Sequence, residues 1–547
     1  MSDRTIITGA RIVDPGQTDA ARVSAAQGEP TTIVIEGGRI ASVGGNVTPA
    51  AGDIVIDAKE KVLLPGFVDS HVHLVWTGQS LANVALTDAA NLKEIQKRIG
   101  AERDRLGADA TVLRGKGWLF DSIDGEPTAA MIDEVVSDLP VYLDSNDMHS
   151  VWVNTAAIHA LGIDATTPDP AGGRLSRSPS GEPAGMLYER AAHEIGWAHL
   201  TATTSDADRV ESVFRALDAF AAAGVTSVVD MGMDDAGWQA LRAAEAARGG
   251  SLPVRVSAHW LVFDTGDDAE NLAQVSRALD ASTESSEWVA MIGIKLVLDG
   301  VIDACTAAMT YPYADGSNGS LMWDPARLRT VLLAADAAGL RIAMHAIGDL
   351  ASDVALDVLE SVIESNPVWD RRPRLEHLEV VSDGTPARMA ASRITASVQP
   401  VHADPAIQPN WRAQLGDDRV ERGYPWRTFS DAGALMAFGT DAPTAPHEAL
   451  DNLYIATTRR SVIDPELPAH TPQSAVAGDS ALRHATIDSA ASFAADDRIG
   501  RLQPGYLADL VVLDRHPLEA DGFRENAVAF TVTGGEVVYR RDASSAV

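Results

Sequence analysis

The stretch Leu64-Pro65-Gly66-Phe67-Val68-Asp69-Ser70-His71-Val72-His73 decides how this chain is read. A Pro-Gly pair leads into an apolar run that ends in His-x-His. Residues two apart on a strand point to the same face, so His71 and His73 present two imidazoles together. Two imidazoles on one face suit a single divalent ion. Two unrelated histidines at a strand end are the competing reading, and the motif alone leaves both open.

Downstream, short apolar runs alternate with Ala-rich helical segments. The runs fall at residues 225–229, 254–259, 293–298, 341–345, 374–377, 394–398 and 435–438, and helices are expected at 210–223, 325–338 and 349–365. Repeated strand–helix alternation predicts a parallel sheet, and at this length a closed (β/α)8 barrel is the natural form. An open doubly wound sheet is the alternative. It loses its main support because no G-x-G-x-x-G stands at a strand–helix junction near the N-terminus.

The ends of these runs carry the remaining chemistry. His345 closes Ile342-Ala343-Met344, His377 closes Arg374-Leu375-Glu376, and Asp441 follows Phe438-Gly439-Thr440. Lys295 lies inside an apolar run, where a cation is costly unless neutralised or paired. One such residue is most simply a satisfied core group. An ordered set of His-x-His, Lys, His, His and Asp on successive strand ends points to a metal centre, because these ends form the active face of TIM barrels.

The two ends of the chain have a different texture. Residues 5–7, 33–36, 39–43 and 53–57, then 510–513, 527–532 and 536–539, read as short strands, with Gly37-Gly38 and Gly534-Gly535 as hairpin turns. The expected organisation is a small β-sandwich domain from residues 1–62 and 502–547 and a barrel over 63–501. Residues from about 80 to 200 break the alternation and read as an insertion near the barrel mouth, suited to a lid.

Composition narrows the partners. Of 547 residues, 44 are Lys or Arg and 77 are Asp or Glu, a formal net charge of −33. Such a surface repels phosphate backbones and anionic lipid, so nucleic acid and membrane are not expected partners, and a small-molecule substrate is. Cys305 is the one cysteine and cannot form an internal disulfide. The polar start and the lack of a long apolar run suggest a cytoplasmic protein.

With these residues in place, the sequence resembles the amidohydrolase superfamily, and within it the YtcJ-like branch that includes N-substituted formamide deformylases. The resembling pieces include the stretch at 64–69, Asp147-Met148-His149-Ser150-Val151-Trp152-Val153-Asn154, Asp299-Gly300, His345-Ala346-Ile347-Gly348-Asp349, Arg374-Leu375-Glu376-His377, Ser397-Val398-Gln399-Pro400-Val401-His402, Gly439-Thr440-Asp441 and the segment at 502–514. They run through almost the whole chain. Met148 stands where the branch often has glycine, which bears on the pocket beside His149.

The resemblance implies one or two divalent ions, zinc being the expected metal. His71, His73 and Asp441 would hold one, His345 and His377 the other, and Lys295, carboxylated by carbon dioxide, would bridge them. A mononuclear site with unmodified Lys295 is the alternative. The implied reaction is hydrolysis of a C–N bond in an amide, N-substituted formamide or cyclic amide, with Asp441 moving the proton. Ester or lactone cleavage and deamination use the same centre, and a non-catalytic binding barrel is the reading from another class. His149 and His402 are candidate substrate or transition-state contacts, against a structural hydrogen bond for each. Asn154 and Trp118 are pocket-lining candidates, Asp69 a support for the strand end, and Asp349 a cap for its helix. Homodimers are common for this architecture, and that analogy is the basis for expecting one here.

Overall fold

The computed structural model describes residues 4–16, 30–45, 47–107, 110–145, 149–170, 172–519 and 521–541. Asp147 and Met148, quoted above, lie outside them. The chain forms two compact units, one running up to Thr77 and resuming at Val213, the other Gly78–Ser212.

Eight parallel strands build the centre of the first unit: β1 Phe67–Val72, β2 Val225–Met233, β3 Arg255–Val262, β4 Val289–Val297, β5 Arg341–Ala346, β6 Arg374–His377, β7 Thr395–Val398 and β8 Met436–Phe438. Each pairs with its sequence neighbour in parallel register. Their apolar runs are nearly continuous because both faces of such strands are buried. Helices follow in the alternating pattern, and side chains fix their starts. Asp234, Asp267 and Asp324 accept backbone N–H groups in the first turns of Asp235–Ala247, Asp268–Ser282 and Pro325–Ala337.

The sheet closes just past β8. Val72 bridges Ala442 in parallel. Asp441 N–H donates to His71 O at 2.8 Å, and His73 N–H to Ala442 O at 2.9 Å. Gly439 makes this approach possible, since a Cβ there would lie 2.5 Å from His71 Cβ. Closure excludes the open doubly wound alternative and gives the TIM barrel.

Both ends of the chain contribute to one eight-stranded mixed sheet with a core of its own, including Ile7, Ile33, Leu63, Leu510 and Val532. Strand Arg4–Ile12 is its corner. The first half pairs with Thr31–Glu36 and Ile54–Asp57, the second with Val62–Pro65, and the change occurs at a register shift around Gly9, whose φ is +66°. The buried pair Arg255 Nε to Asp509 Oδ2, 2.8 Å, ties this sheet to the start of β3.

The second unit holds a six-stranded sheet in the order Gly173–Arg177, Pro183–Glu189, Ser150–Val153, Val141–Ser145, Leu113–Trp118, Val84–Ala85. Two apolar clusters pack within it. Among the described residues, no helix is long and apolar enough to cross a membrane.

Candidate metal centre

The C-terminal ends of the barrel strands converge on a cluster of imidazoles and carboxylates. His71 ends β1, with His73 just beyond. Lys295 lies in β4, His345 in β5 and His377 at the end of β6. His402 stands in the turn Pro400–Ala403 after β7, and Asp441 follows β8. Ring centroids are 5.6 Å apart for His71 and His73, 5.0 Å for His71 and His377, 4.4 Å for His345 and His377, and 6.0 Å for His377 and His402.

Asp441 is the hub. Its Oδ1 lies 3.3 Å from His71 Nε2 and 3.1 Å from His73 Nε2, and its Oδ2 lies 3.6 Å from His402 Nε2. Burial alone would raise this carboxyl, but His71 and His73 hold it well below the usual carboxylate range. Asp441 and His377 both have left-handed backbones, φ +59° and +76°. Non-glycine residues keep such conformations only where the surroundings enforce them, and they gather at functional sites.

The donor set fits a metal ion. His71, His73 and Asp441 offer ligand atoms within 4.8 Å of one another, and so do His377, His402 and Asp441. Asp441 Oδ1 and His377 Nδ1 are buried without a hydrogen-bond partner. Such atoms are costly unless a cation meets them.

The imidazoles are oriented from behind. His71 Nδ1 lies 2.7 Å from Glu376 Oε2, which leaves Nε2 facing Asp441. His345 Nε2 meets Gly300 O at 3.1 Å, which leaves Nδ1 as its lone-pair nitrogen. A second ring nitrogen donating to a carboxylate or carbonyl is the usual support of a metal-binding histidine. Burial holds His345 in its neutral form, its pKa pushed down to about 3, and burial next to His345 keeps His377 neutral as well. Burial also pushes the Lys295 amine down to about 8, against the pull of Glu376 and Asp441.

Other sequence expectations resolve individually. Asp69 supports the strand end. It accepts His71 N–H at 3.3 Å, Thr440 N–H at 3.0 Å and the Thr440 hydroxyl at 2.6 Å. Asp349 is not the N-cap residue of its helix, though its carboxylate does serve the first turn. The N-cap position is Gly348, and Asp349, the first helical residue, accepts Leu350 N–H at 3.0 Å in the first turn and Thr310 N–H at 2.7 Å from a loop. Asn154 and Trp118 are structural. Asn154 is buried, accepts Ala157 and Val141 N–H, and donates to Val136 O and Leu139 O. Trp118 is buried and donates to Leu143 O at 2.9 Å. His149 belongs to the second unit, where its Nδ1 lies 2.9 Å from Glu189 Oε2.

The sequence reading missed several supporting groups. Glu376 and Glu379 brace His71 and His402. Asp230 accepts Leu74 N–H at 2.7 Å, just beyond His73. Asp299 accepts Ala308, Ile347 and Gly348 N–H, joining the loop after β4 to the end of β5. His259, on β3, is fully buried with both ring nitrogens unpartnered. A polar residue inside an apolar run marks it in the sequence, as it marks Lys295.

Known proteins match this chain along its length. The amidohydrolase family model matches residues 54–539. The chain is 32% identical over 534 residues to Protein LONG AFTER FAR-RED 3 of Arabidopsis thaliana, covering 93% of this chain and 88% of that protein. It is 28% identical over 552 residues to the N-substituted formamide deformylase of Arthrobacter pascens, covering 96% and 97%. A crystal structure of an uncharacterized metal-dependent hydrolase from Pyrococcus horikoshii superposes with a TM-score of 0.77 at 25% identity, over 95% of this chain and 99% of that one.

Proposed function

The chain belongs to the amidohydrolase family, and from that premise we propose that this metal-dependent hydrolase cleaves a C–N bond in a small amide, N-substituted formamide or cyclic amide. One observation carries the reading. The Asp441 carboxylate faces His71 and His73 with one oxygen and His402 with the other, at the C-terminal end of the barrel. The bond class draws on the full-length similarity to a formamide deformylase.

The metal-holding residues in this reading are His71, His73, His345, His377, Asp441 and Lys295. Divalent ions, zinc being the expected metal, supply Lewis acidity toward a carbonyl and lower the pKa of water to roughly 7 when bound. Lys295 is buried on β4, where an unmodified ammonium is costly. Addition of its neutral amine to carbon dioxide, with loss of one proton, turns it into a carboxylate with two donor oxygens. Asp441 takes a proton from the attacking water and passes it to the leaving nitrogen. Glu376 fixes His71 so that Nε2 faces Asp441, and Gly300 O holds His345 through its Nε2. No step is assigned to His149.

The test is elemental mass spectrometry on the purified chain, followed by a panel of formamides, cyclic amides, esters and lactones. One or two divalent ions per chain, and amide or formamide turnover that stops with chelator and returns with zinc, is the expected result. A chain that binds no metal, or that hydrolyses only esters, overturns the reading.

A further inference from the structure

The backbone that carries His402 is pinned on several sides. Val401 N–H donates to Asn452 Oδ1 at 2.9 Å, and Asn452 Nδ2 donates to Gly439 O at 3.0 Å, so the turn after β7 is tied to the end of β8. Asp404 anchors the far side through the Ser461 hydroxyl and Val462 N–H. The ring is fixed as well. Its Nδ1 lies 3.2 Å from Glu379 Oε1, a buried carboxylate two residues past His377.

With Nδ1–H given to Glu379, Nε2 is left to present either a lone pair to a cation or a proton to its neighbours. Its neighbours are Asp441 Oδ2 at 3.6 Å and Thr444 Oγ at 3.4 Å. The Thr444 hydroxyl already donates to Asp441 O at 2.7 Å, so it turns an oxygen toward Nε2. A lone pair aimed at two oxygens calls for positive charge between them. The His377 ring lies parallel to that of His402, within 8°, and its buried Nδ1 has no partner. The same construction stands on the other side of Asp441, where Glu376 braces His71 against Oδ1.

We propose that His402 is a metal ligand rather than a substrate contact, completing with His377 and Asp441 Oδ2 a second donor set, and that Glu379 is its positioning residue. This rests on the metal-site reading above. A proton on Nε2, shared with Asp441, is the competing occupant.

The experiment compares full-length wild type with His402→Ala and Glu379→Gln, each reloaded with zinc and dialysed. It measures metal per chain, zinc affinity against a chromophoric chelator, and the visible spectrum after cobalt substitution. Far-UV circular dichroism confirms that each variant is folded. The expected result is loss of one ion per chain, or zinc binding weakened by more than about tenfold, in His402→Ala, with a changed cobalt spectrum and a smaller loss in Glu379→Gln. Should His402→Ala fail to fold, Glu379→Gln carries the comparison through the same affinity and spectrum. Wild-type metal content, affinity and cobalt spectrum in folded variants with reduced turnover would overturn the assignment in favour of a substrate contact or a shared proton. Wild type without metal would instead remove the underlying metal-site reading.

Discussion

Glu376 Oε2 lies 2.7 Å from His71 Nδ1, joining the sixth strand of the barrel to the first, with both side chains excluded from water. Arg374 neutralises the carboxylate from the same strand and also donates to Ser70 O and the Ser397 hydroxyl. The ring that presents Nε2 to Asp441 is thus held by a buried ionic network, not by packing alone.

Glu376→Gln is expected to weaken metal retention by about 10–100-fold, the usual effect of losing a carboxylate behind a ligating histidine. Competition with a chelator reads it directly. Unchanged affinity would show that His71 needs no such support.

Lys295→Ala is expected to lower both metal content and turnover, the latter by at least about a hundredfold. Wild-type turnover should decline on dialysis in carbon-dioxide-free buffer and return with bicarbonate. The metal-free variant should melt no lower than metal-free wild type, because a buried amine has been removed. Full metal content and normal turnover in Lys295→Ala would rule out a bridging role.

Asp69→Ala deletes the acceptor shared by His71 N–H, Thr440 N–H and the Thr440 hydroxyl. Buried donors left unpaired cost about 1–3 kcal/mol each, so a loss of about 3 kcal/mol in urea unfolding is expected, and less for Asp69→Asn. Equal stability of the two variants would contradict this account.

Asn154→Ala tests a residue whose sequence context suggests a pocket. Its four hydrogen bonds join a helix start to neighbouring loops inside the second unit. A stability loss of about 3 kcal/mol is expected, with kcat and KM unchanged for the folded fraction. A KM change without a stability change would restore a substrate role.

Asp488 gives a pH-dependent contribution away from the metal cluster. Burial alone would raise its carboxyl, but His484 and Arg483 hold it below the usual range. A depressed carboxyl stabilises the fold above its unfolded value of about 4, and the contribution disappears as pH falls through the folded value. The stability gap between wild type and Asp488→Asn should therefore be full at neutral pH and shrink below about pH 4. A gap independent of acid would show that the pair contributes no linkage.

The barrel was legible because its strands are apolar runs of the right length, and the His-x-His pair because strand periodicity is two. The supports were not. Strict alternation along Arg374-Leu375-Glu376-His377 puts Glu376 and His377 on opposite faces. Left-handed backbone at His377 and Leu378 breaks that alternation, and both side chains reach the cluster. Nothing in the residue types announces that turn. Glu379 and Asp299 were hidden for a related reason, since their partners lie 23 and about 48 residues away on neighbouring strand ends. Asp349 looked like the N-cap residue, but Gly348 holds that position and the Asp349 oxygen is shared between the first-turn Leu350 N–H and a loop N–H.

The bonds that close the barrel, Asp441 N–H to His71 O and His73 N–H to Ala442 O, are made by the residues that face one another across the first donor set. The seam between the first and last strands joins segments about 370 residues apart, a slow and entropically costly contact to form. An ion seated there acts as a clasp on that seam. It binds the closed barrel and not the open chain, so its residence time adds to the lifetime of the closed fold. Amide exchange at His73 and Asp441 then becomes a gauge of occupancy, slow in the loaded protein and accelerating as the ion departs, before any strand elsewhere in the barrel has opened.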